Sequence, residues 1–458
     1  MAQAPLPAPA NPPIPSAAPN ASEQALATPN LPDVSDPMLT PVEAPKQVVR
    51  SWREALALVR SRSTSIATAR ARVAQANAQG RQVLAADLPT IAANASVRRD
   101  LLFGNSAQFQ PVFGQQPLQR SPYPATVWSA DVSLRQALLD LRSWHDVGTA
   151  KLAVAAAATS ARDSERLALG TLADAIVTVI TAERLAEVSR VSLRSNLSTL
   201  DLTKRRAALG AASAVDVLRA AQEVATTRAD VVQADETLRQ AREALGLALG
   251  FPESWGVAAD IKVDELSSDA RAVCSPLQSA EQRSDVVAAS QNVEVNQRNV
   301  TSVDFAHAPI LDVVSDLAYT SQPQAARPLS WSIGAVLTVP IYDGGLLSAQ
   351  RDINRATLEV ARQQLTDSSR RAQLQVIQAQ RSVEVAEANF GVSRQARDIA
   401  ADSARLSRIA FVHGTGTSFD LVDSASRLRL AEIDLTIKEF EVVKARLEAL
   451  LALANCDI

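Results

Sequence analysis

The sequence predicts an α+β membrane protein built as a tandem repeat of long helices and β-hairpins. Proline is absent from Val127–Phe251 and again from Ile341–Ile458, and stretches of this length without proline are what very long helices require. A turn pattern recurs 204 residues further along the chain, which indicates two copies of one arrangement. Each copy also contains segments in which apolar and polar residues alternate, a pattern typical of strands.

The composition fits a folded chain and excludes several functional classes. Hydrophobic residues make up 47% of the 458 residues and charged residues 21%, which excludes wholesale disorder. The formal net charge of −3 gives no general attraction to nucleic acid, so we expect no nucleic-acid partner. No stretch approaches the roughly 18 consecutive apolar residues that a membrane-spanning helix needs.

Residues 1–47 are rich in proline and alanine, and we expect them to form a flexible tail. The first basic residue is Lys46, so a secretory signal is either absent or already removed. The Ala-Gln-Ala-Pro start after Met1 favours removal. No cysteine follows Met1, so the sequence gives no support for a lipid anchor there.

Matching turns define the two repeats. Leu209–Asp216 matches His413–Asp420, with a glycine and an aspartate six residues apart in each. The first repeat holds 17 extra residues between Pro89 and Trp128, which we expect to form the larger external loop. After the tail, the chain is therefore predicted to divide into a first repeat (48–250), an inter-repeat linker (251–278) and a second repeat (279–458).

Each repeat is predicted to hold one hairpin, at about residues 90–138 and 310–341. Apolar and polar residues alternate from Trp128 to Leu134 and from Trp331 to Val339. Strands of about ten residues cross a bilayer when tilted. Because four strands cannot close a barrel and lipid does not tolerate open strand edges, several chains must pool their strands.

Soluble hairpins packed on helices are the alternative to this membrane interpretation. Aromatic residues favour the membrane, because nine of the seventeen fall within residues 90–145 and 310–345. Such enrichment is typical of the aromatic girdles at bilayer interfaces. Trp128, Trp331 and Tyr319 are the predicted membrane-interface residues.

A long helical run follows each hairpin, at Ser143–Leu209 and Leu346–Val412. Leucine or valine recurs every three or four residues, which marks packed seams, and turns at Gly210 and Gly414 lead to shorter helices. A single chain with such helices would be a rod with much unburied surface. Closure of an oligomer would bury it.

Catalytic and metal-binding patterns are missing from the sequence. The three histidines are too few and too scattered for a metal site, and no phosphate-binding loop or nucleophile elbow is present. We therefore predict that the chain is not an enzyme and binds no cofactor or metal.

Taken in order, these features resemble the TolC-like outer-membrane efflux and secretion ducts, or outer membrane factors. The features that carry the resemblance are the tandem repeat, the Leu-Pro and Ala-Pro breaks at Pro89 and Pro309, the run Val339–Gly345 and the paired Gly-x5-Asp turns. The resemblance implies a homotrimer in which each chain gives four strands to one twelve-stranded barrel in outer-membrane lipid. A helical barrel would continue it across the periplasm.

The same resemblance implies a passive exit duct of a tripartite efflux pump or a type I secretion system, with a gated periplasmic tip. Its partners would be a periplasmic adaptor, also called a membrane fusion protein, and an inner-membrane transporter of the RND or ABC type. The sequence does not choose between these transporters or identify the cargo. A non-membrane coiled-coil scaffold is the alternative function, although it does not explain the repeated amphipathic strands.

By the resemblance, Asp420 and Asp423 occupy the acidic constriction of the tip, whereas helix capping is the alternative role for both. Asp216 matches a position that holds the duct shut through an aromatic and a basic residue of the second repeat. Here those positions are Phe411 and Gly416, which offer neither a hydroxyl nor a charge. We therefore expect a polar lock that is weak or built differently.

The remaining site residues are two turn glycines and two cysteines. By the resemblance, Gly210 and Gly414 mark the tip turns that meet the adaptor. Cys274 and Cys456 lie in the equatorial region of such ducts, and neither has a histidine or cysteine neighbour in sequence that would make it reactive. A disulfide and two free thiols both remain open, and we take the disulfide as the expectation.

Overall fold

The computed structural model describes residues 34–99, 126–258, 271–272, 274–321 and 328–456. Most of these residues are helical and some form short sheets, which confirms the coarse prediction of a helical chain with some sheet. The predicted external loop with Phe103, Phe109 and Phe113 lies outside the described residues.

The regular elements are named here in chain order. The helices are α1 (Trp52–Arg62), α2 (Thr64–Ala85), α3 (Leu141–Ala208), α4 (Ala214–Leu249), α5 (Ser284–Phe305), α6 (Leu346–Val412) and α7 (Ser418–Ala452). The strands are β1 (Gln47–Val49), β2 (Thr90–Arg99), β3 (Thr126–Leu139), β4 (Trp255–Val257), β5 (Cys274–Pro276), β6 (Ile310–Thr320), β7 (Leu329–Thr338) and β8 (Ala454–Cys456).

The chain forms two compact units, and each draws segments from both repeats. The sheet unit comprises Arg53–Leu172, Glu265–Gln380 and Leu447–Ile458. The turn unit comprises Met1–Trp52, Ala173–Asp264 and Arg381–Arg446. The two sequence repeats therefore do not correspond to the two compact units. The repeat boundaries at residues 250 and 279 stay a prediction.

The helices follow from long stretches without proline and from defined ends. The predicted run Leu346–Val412 has the same bounds as α6, and α3 begins two residues before its predicted start. Before each helix an aspartate accepts backbone N–H groups, Asp140 from Ser143 at 3.0 Å and Asp343 from Leu347 at 2.6 Å. Among the described helices, none is long and apolar enough to cross a membrane.

Four antiparallel strands of the sheet unit form one sheet in the order β2-β3-β6-β7. Ala130 of β3 lies opposite Tyr319 of β6, and this register joins the two hairpins. Because residues opposite one another share a face, the register gathers the apolar residues on one side of the sheet. Members of this apolar face are Ile91, Val97, Trp128, Val132, Leu134, Leu317, Tyr319, Leu329, Trp331, Ile333 and Leu337.

The opposite face of this sheet is polar and internally hydrogen-bonded. Asn94 donates to Asp131 at 2.9 Å, and Ser96 and Ser129 share a hydrogen bond of 2.8 Å. Arg135 forms an ion pair with the buried Asp312 at 2.6 Å. The sheet is therefore amphipathic across its whole width.

The start of the described chain differs from the predicted flexible tail. Asp36 forms an ion pair with Arg228 at 2.6 Å, and Met38 and Leu39 pack on a core cluster of α3 and α4. Strand β1 then pairs in parallel with β4. This segment is therefore held within the turn unit, because Asp36, Met38 and Leu39 have partners on α3 and α4.

Candidate functional site

The two predicted tip turns have the same local structure. Gly210 and Gly414 adopt φ values of 73° and 79°, a left-handed conformation that favours glycine at the end of a helix. The amide of Ala211 donates to the carbonyl of Arg206 at 2.8 Å, and that of Thr415 to the carbonyl of Ala410 at 2.9 Å. Each long helix therefore ends in the same closed turn.

A reciprocal cap then starts the next helix in both repeats. Ser213 accepts the amide of Asp216 at 3.2 Å while the Asp216 carboxylate accepts the amide of Ser213 at 2.9 Å. Thr417 and Asp420 repeat this arrangement at 3.1 Å and 3.3 Å. Asp420 therefore caps a helix, which is the alternative role that the sequence suggested.

Asp216 also links the two repeats. Its other carboxylate oxygen accepts a hydrogen bond from the hydroxyl of Ser418, which is buried at the start of α7. This bond, followed by those from the Ser213 amide and hydroxyl, holds the pKa of Asp216 below its ordinary value. Phe411 and Gly416 occupy the positions of the family's two lock residues but, in the part of the chain that the structure describes, do not bond this carboxylate, and the Ser418 hydroxyl bonds it instead.

Phe411 is held by a cation from the first repeat. It is only 4% exposed, and the guanidinium of Arg206 lies 4.2 Å from its ring centroid. Arg206 Nη1 also donates to the Phe411 carbonyl at 2.5 Å. A cation over an aromatic ring contributes about 0.5–2 kcal/mol, depending on desolvation. The cation beside Phe411 therefore comes from α3, whereas the resemblance placed the basic residue of a lock on the second repeat.

Gly416 has a steric role instead of a charged one. A Cβ atom at this position would lie 3.0 Å from both the Cβ of Ala410 and the amide nitrogen of Phe411. Its backbone φ is ordinary, so close approach alone requires the glycine. Gly416 thus lets the turn close against the residues that carry the buried ring.

Asp423 lies one turn after Asp420 on the same helix face and reaches solvent. Its carboxylate accepts from Arg427 Nε at 2.8 Å. Both acidic groups therefore have local partners within one chain. Whether they surround an axis depends on assembly, and their role in a constriction remains a prediction.

A buried ion-pair cluster joins α4 and α7 nearby. Arg429 contacts Asp230 at 2.5 Å and Glu223 at 3.5 Å, and its side chain is 9% exposed. Sequence reasoning missed Arg429, Arg206 and Ser418. The repeat offset could have pointed to Arg206 and Ser418, because each is separated from its partner by nearly the 204-residue offset. Arg206 lies 205 residues before Phe411, and Asp216 lies 202 residues before Ser418.

The predicted interface aromatics lie on the apolar face of the sheet. Trp128 is 60% exposed and Trp331 is 76% exposed, and Tyr319 is also exposed. The indole N–H of Trp331 donates to Ser315 at 3.0 Å. Such large apolar side chains facing outward are what an apolar environment would cover.

In the sheet unit, Cys274 and Cys456 lie opposite each other in the β5–β8 pair and are joined by a disulfide. Next to them, Arg283 is 2% exposed and donates to Asp285 at 2.7 Å and to Gln375 at 2.9 Å. Among the described residues, no group of three or more His, Cys, Asp or Glu side chains is placed to hold a metal ion.

Comparisons with known proteins define the class. Residues 55–251 and 276–455 match the family model described as outer membrane efflux protein, and the chain belongs to that family. It is 25% identical over 372 residues to Nodulation protein T of Rhizobium leguminosarum bv. trifolii, covering 77% of this chain and 76% of the relative.

Two further relatives come from Vibrio cholerae. Outer membrane protein TolC of serotype O1 is 23% identical over 337 residues, covering 72% of this chain and 77% of that protein. The crystal structure of the outer membrane protein VceC superimposes with a TM-score of 0.71 at 18% identity, covering 88% of this chain and 95% of VceC.

Family membership makes the chain an outer-membrane efflux channel protein that extends into the periplasm. The prediction of a TolC-like outer membrane factor is thereby confirmed for family, function and localisation. Members of this family are channels or ducts and not enzymes. The alternative of a non-membrane scaffold receives no support from the comparisons.

Proposed function

We propose that three copies of this chain form one exit duct, with a twelve-stranded barrel in the outer membrane and a helical barrel in the periplasm. The observation that carries the proposal is the four-stranded sheet, which has an apolar face, a polar face and two edges, β2 and β7, without a partner strand in the described chain. An edge left open in lipid costs several kcal/mol for each unsatisfied backbone group. Pairing of β2 with β7 of the next copy removes both edges.

The two faces of the sheet support the same arrangement. The apolar face would meet outer-membrane lipid, with its tryptophans at the interface, and the polar face would line a water-filled lumen. The bonds Asn94–Asp131 and Arg135–Asp312 satisfy polar groups on that lumen side.

Paired cysteines test barrel closure. Asn94 in β2 and Ser332 in β7 both lie on the polar face, and three strand spacings of about 4.8 Å separate them within one chain, too far for an internal disulfide. Chains carrying Asn94→Cys with Ser330→Cys, Ser332→Cys or Gly334→Cys should give covalent dimers and trimers on non-reducing gels. Asn94→Cys with Ile333→Cys, on opposite faces, should not. Absence of linked chains in the whole polar-face set would contradict the proposal.

The turns of the turn unit would form the gated tip of the duct. The pairs Arg206–Phe411 and Asp216–Ser418 hold the two helix hairpins together. They are available to act as the lock, while Asp420 and Asp423 of three copies would place six carboxylates around one axis.

Partner contacts are proposed at the same tip. Leu209, Val215, Leu218 and Phe419 are all more than half exposed beside the turn glycines Gly210 and Gly414. This apolar surface fits a periplasmic adaptor, which would connect the duct to an inner-membrane transporter of the RND or ABC type. The double variant Leu209→Asp and Leu218→Asp should lose adaptor co-purification and efflux. Leu247→Asp, equally exposed on α4 away from the turn, should retain both.

A further inference from the structure

A cavity lined by both polar and apolar side chains lies between α3, α6 and α7 within the turn unit. Its volume is about 270 Å³, enough for a small ligand with its hydration. Arg405 and Arg408 of α6, Arg429 and Glu432 of α7, and Ser192 and Ser195 of α3 line it. Three guanidinium groups thus face one carboxylate around a single space.

The arginines of this cavity have donor capacity to spare. Arg429 is buried, and its Nε atom has no hydrogen-bond partner within the described residues, although its other nitrogens bond Asp230 and Ser426. Arg408 has one weak hydrogen bond, to Ser195 Oγ at 3.4 Å, and no carboxylate within 4 Å in the described chain. A buried donor without an acceptor costs about 1–3 kcal/mol, so an acceptor in the cavity would stabilise this region.

Carboxylates pair with two of the three arginines and leave Arg408 without one among the described residues. Arg429 lies 2.5 Å from Asp230 and 3.5 Å from Glu223. Arg405 reaches Asp402 at 3.5 Å on the outer side of its helix, where both side chains are well exposed.

Glu432 is the one acidic side chain in the cavity lining. Burial raises its pKa although Arg397 and Arg184 act in the opposite direction, so the protein disfavours its charged form, and a bound anion would disfavour it further.

We propose that this cavity binds a small oxyanion of the phosphate, sulfate or carboxylate type. Guanidinium groups present N–H donors in a fixed fork that matches such oxygens, and Ser192 and Ser195 of α3 add hydroxyl groups to the same lining. The anion would connect α3, α6 and α7. The proposal goes beyond the duct function, because binding requires only the folded turn unit.

Inorganic phosphate, titrated into the full chain in detergent at constant ionic strength, tests this site by calorimetry. We expect saturable binding that Arg408→Gln weakens by about tenfold or more, since one charge-assisted hydrogen-bonding group is lost. Glu432→Gln should tighten binding several-fold, because it removes the negative charge that faces the anion. A gain of affinity cannot come from misfolding.

The matched control is Arg394→Gln, which changes an exposed arginine of α6 that does not line the cavity. It should leave phosphate affinity unchanged. The proposal is overturned if phosphate and sulfate show no saturable binding, or if Arg394→Gln weakens binding as much as Arg408→Gln. Equal affinity in Glu432→Gln and the unaltered chain would also contradict the placement of the anion.

Discussion

Distant segments of this chain are tied in two regions by different kinds of link. In the sheet unit, the disulfide Cys274–Cys456 and the buried Arg283 hold the inter-repeat linker to the end of the chain. In the turn unit, Arg206–Phe411 and Asp216–Ser418 hold the two repeats together by hydrogen bonds and a cation over a ring.

The difference between these regions is one of reversibility. A disulfide persists through any conformational change until it is reduced, whereas each non-covalent pair contributes about 1–3 kcal/mol and can break and reform. A part of a channel that stays fixed can be held by a disulfide, whereas a part that opens and closes requires non-covalent links. We therefore predict that a moving part of the duct, if the chain has one, lies at the turns.

The largest expected effect comes from the covalent link. Replacing both cysteines (Cys274→Ser and Cys456→Ser) removes a cross-link across 182 residues, which corresponds to about 5 kcal/mol in the chain-entropy model. Urea unfolding of the detergent-solubilised protein should show a lower midpoint, with unchanged single-channel conductance before unfolding. Two titratable thiols in the unreduced, unfolded chain would show that the link does not form.

A smaller effect should follow from crowding one turn. Gly416→Ala places a Cβ atom 3.0 Å from Ala410 and Phe411, and overpacking of this kind costs about 1–3 kcal/mol. Thermal unfolding should begin at a lower temperature, with a tip that closes poorly. The equivalent position of the first repeat is already alanine, so Ala212→Gly is the control and should change little. Equal melting curves for Gly416→Ala and the unaltered chain would refute the crowding.

The non-covalent lock gives the next prediction. Arg206→Met keeps an apolar stem over the Phe411 ring but loses the hydrogen bond to its carbonyl, which should cost about 1–3 kcal/mol. Open events in planar bilayers should become several-fold more frequent. Arg205→Met removes only an exposed pair with Asp201, worth at most about 0.5 kcal/mol, and should behave as the unaltered channel. Similar gating of the two variants would show that Arg206 is no lock.

Acid should weaken the caps formed by Asp216 and Asp420 only at low pH. Both pKa values lie below 3.8, Asp216 chiefly through the Ser418 hydroxyl and Asp420 chiefly through the Thr417 hydroxyl. A lowered carboxyl pKa gives stability that is present above pH 3.8 and lost as pH falls through the folded value. Conductance should therefore be the same at pH 7 and pH 5, and rise only below pH 3.8.

Variants assign that acid response to one of the two caps. Asp216→Asn should raise the conductance at neutral pH, because it weakens a bond between the repeats. Asp420→Asn changes only a local cap and no bond between the repeats, so the conductance of its closed state should stay low. An opening transition between pH 7 and pH 5 that Asp216→Asn abolishes would contradict the low pKa of Asp216.

Local features of the fold were predictable because they repeat or obey short-range rules. The absence of proline predicted long helices, the hairpin and the glycine turn on either side predicted the bounds of α6, and the Gly-x5-Asp pattern located both tip turns. Alternation of apolar and polar residues predicted strands whose faces the register now shows. Each of these signals lies within one turn, one strand or one repeat.

Tertiary partners were not predictable in the same way. Ser418 and Arg206 reach their partners only because α3 and α7 bring residues about 200 positions apart into contact. Arg429 is buried and forms ion pairs with α4, and no local sequence pattern predicts these pairs. The packing of the segment around Met38 and Leu39 was also missed. Its high proline content predicted a flexible tail, although these two apolar residues pack on α3 and α4.

The smallest structural effect is expected where no link is broken, at the exposed acids of the second repeat. Asp420→Asn with Asp423→Asn keeps the helix cap nearly intact, so stability should hardly change. If six such carboxylates surround one axis, the double variant should lower cation selectivity and relieve block by multivalent cations in single-channel recordings. A control with Asp352→Asn and Asp367→Asn removes the same charge from arginine-paired surface sites on α6. Unchanged selectivity in the tip variant would show that these acids cap a helix and line no constriction.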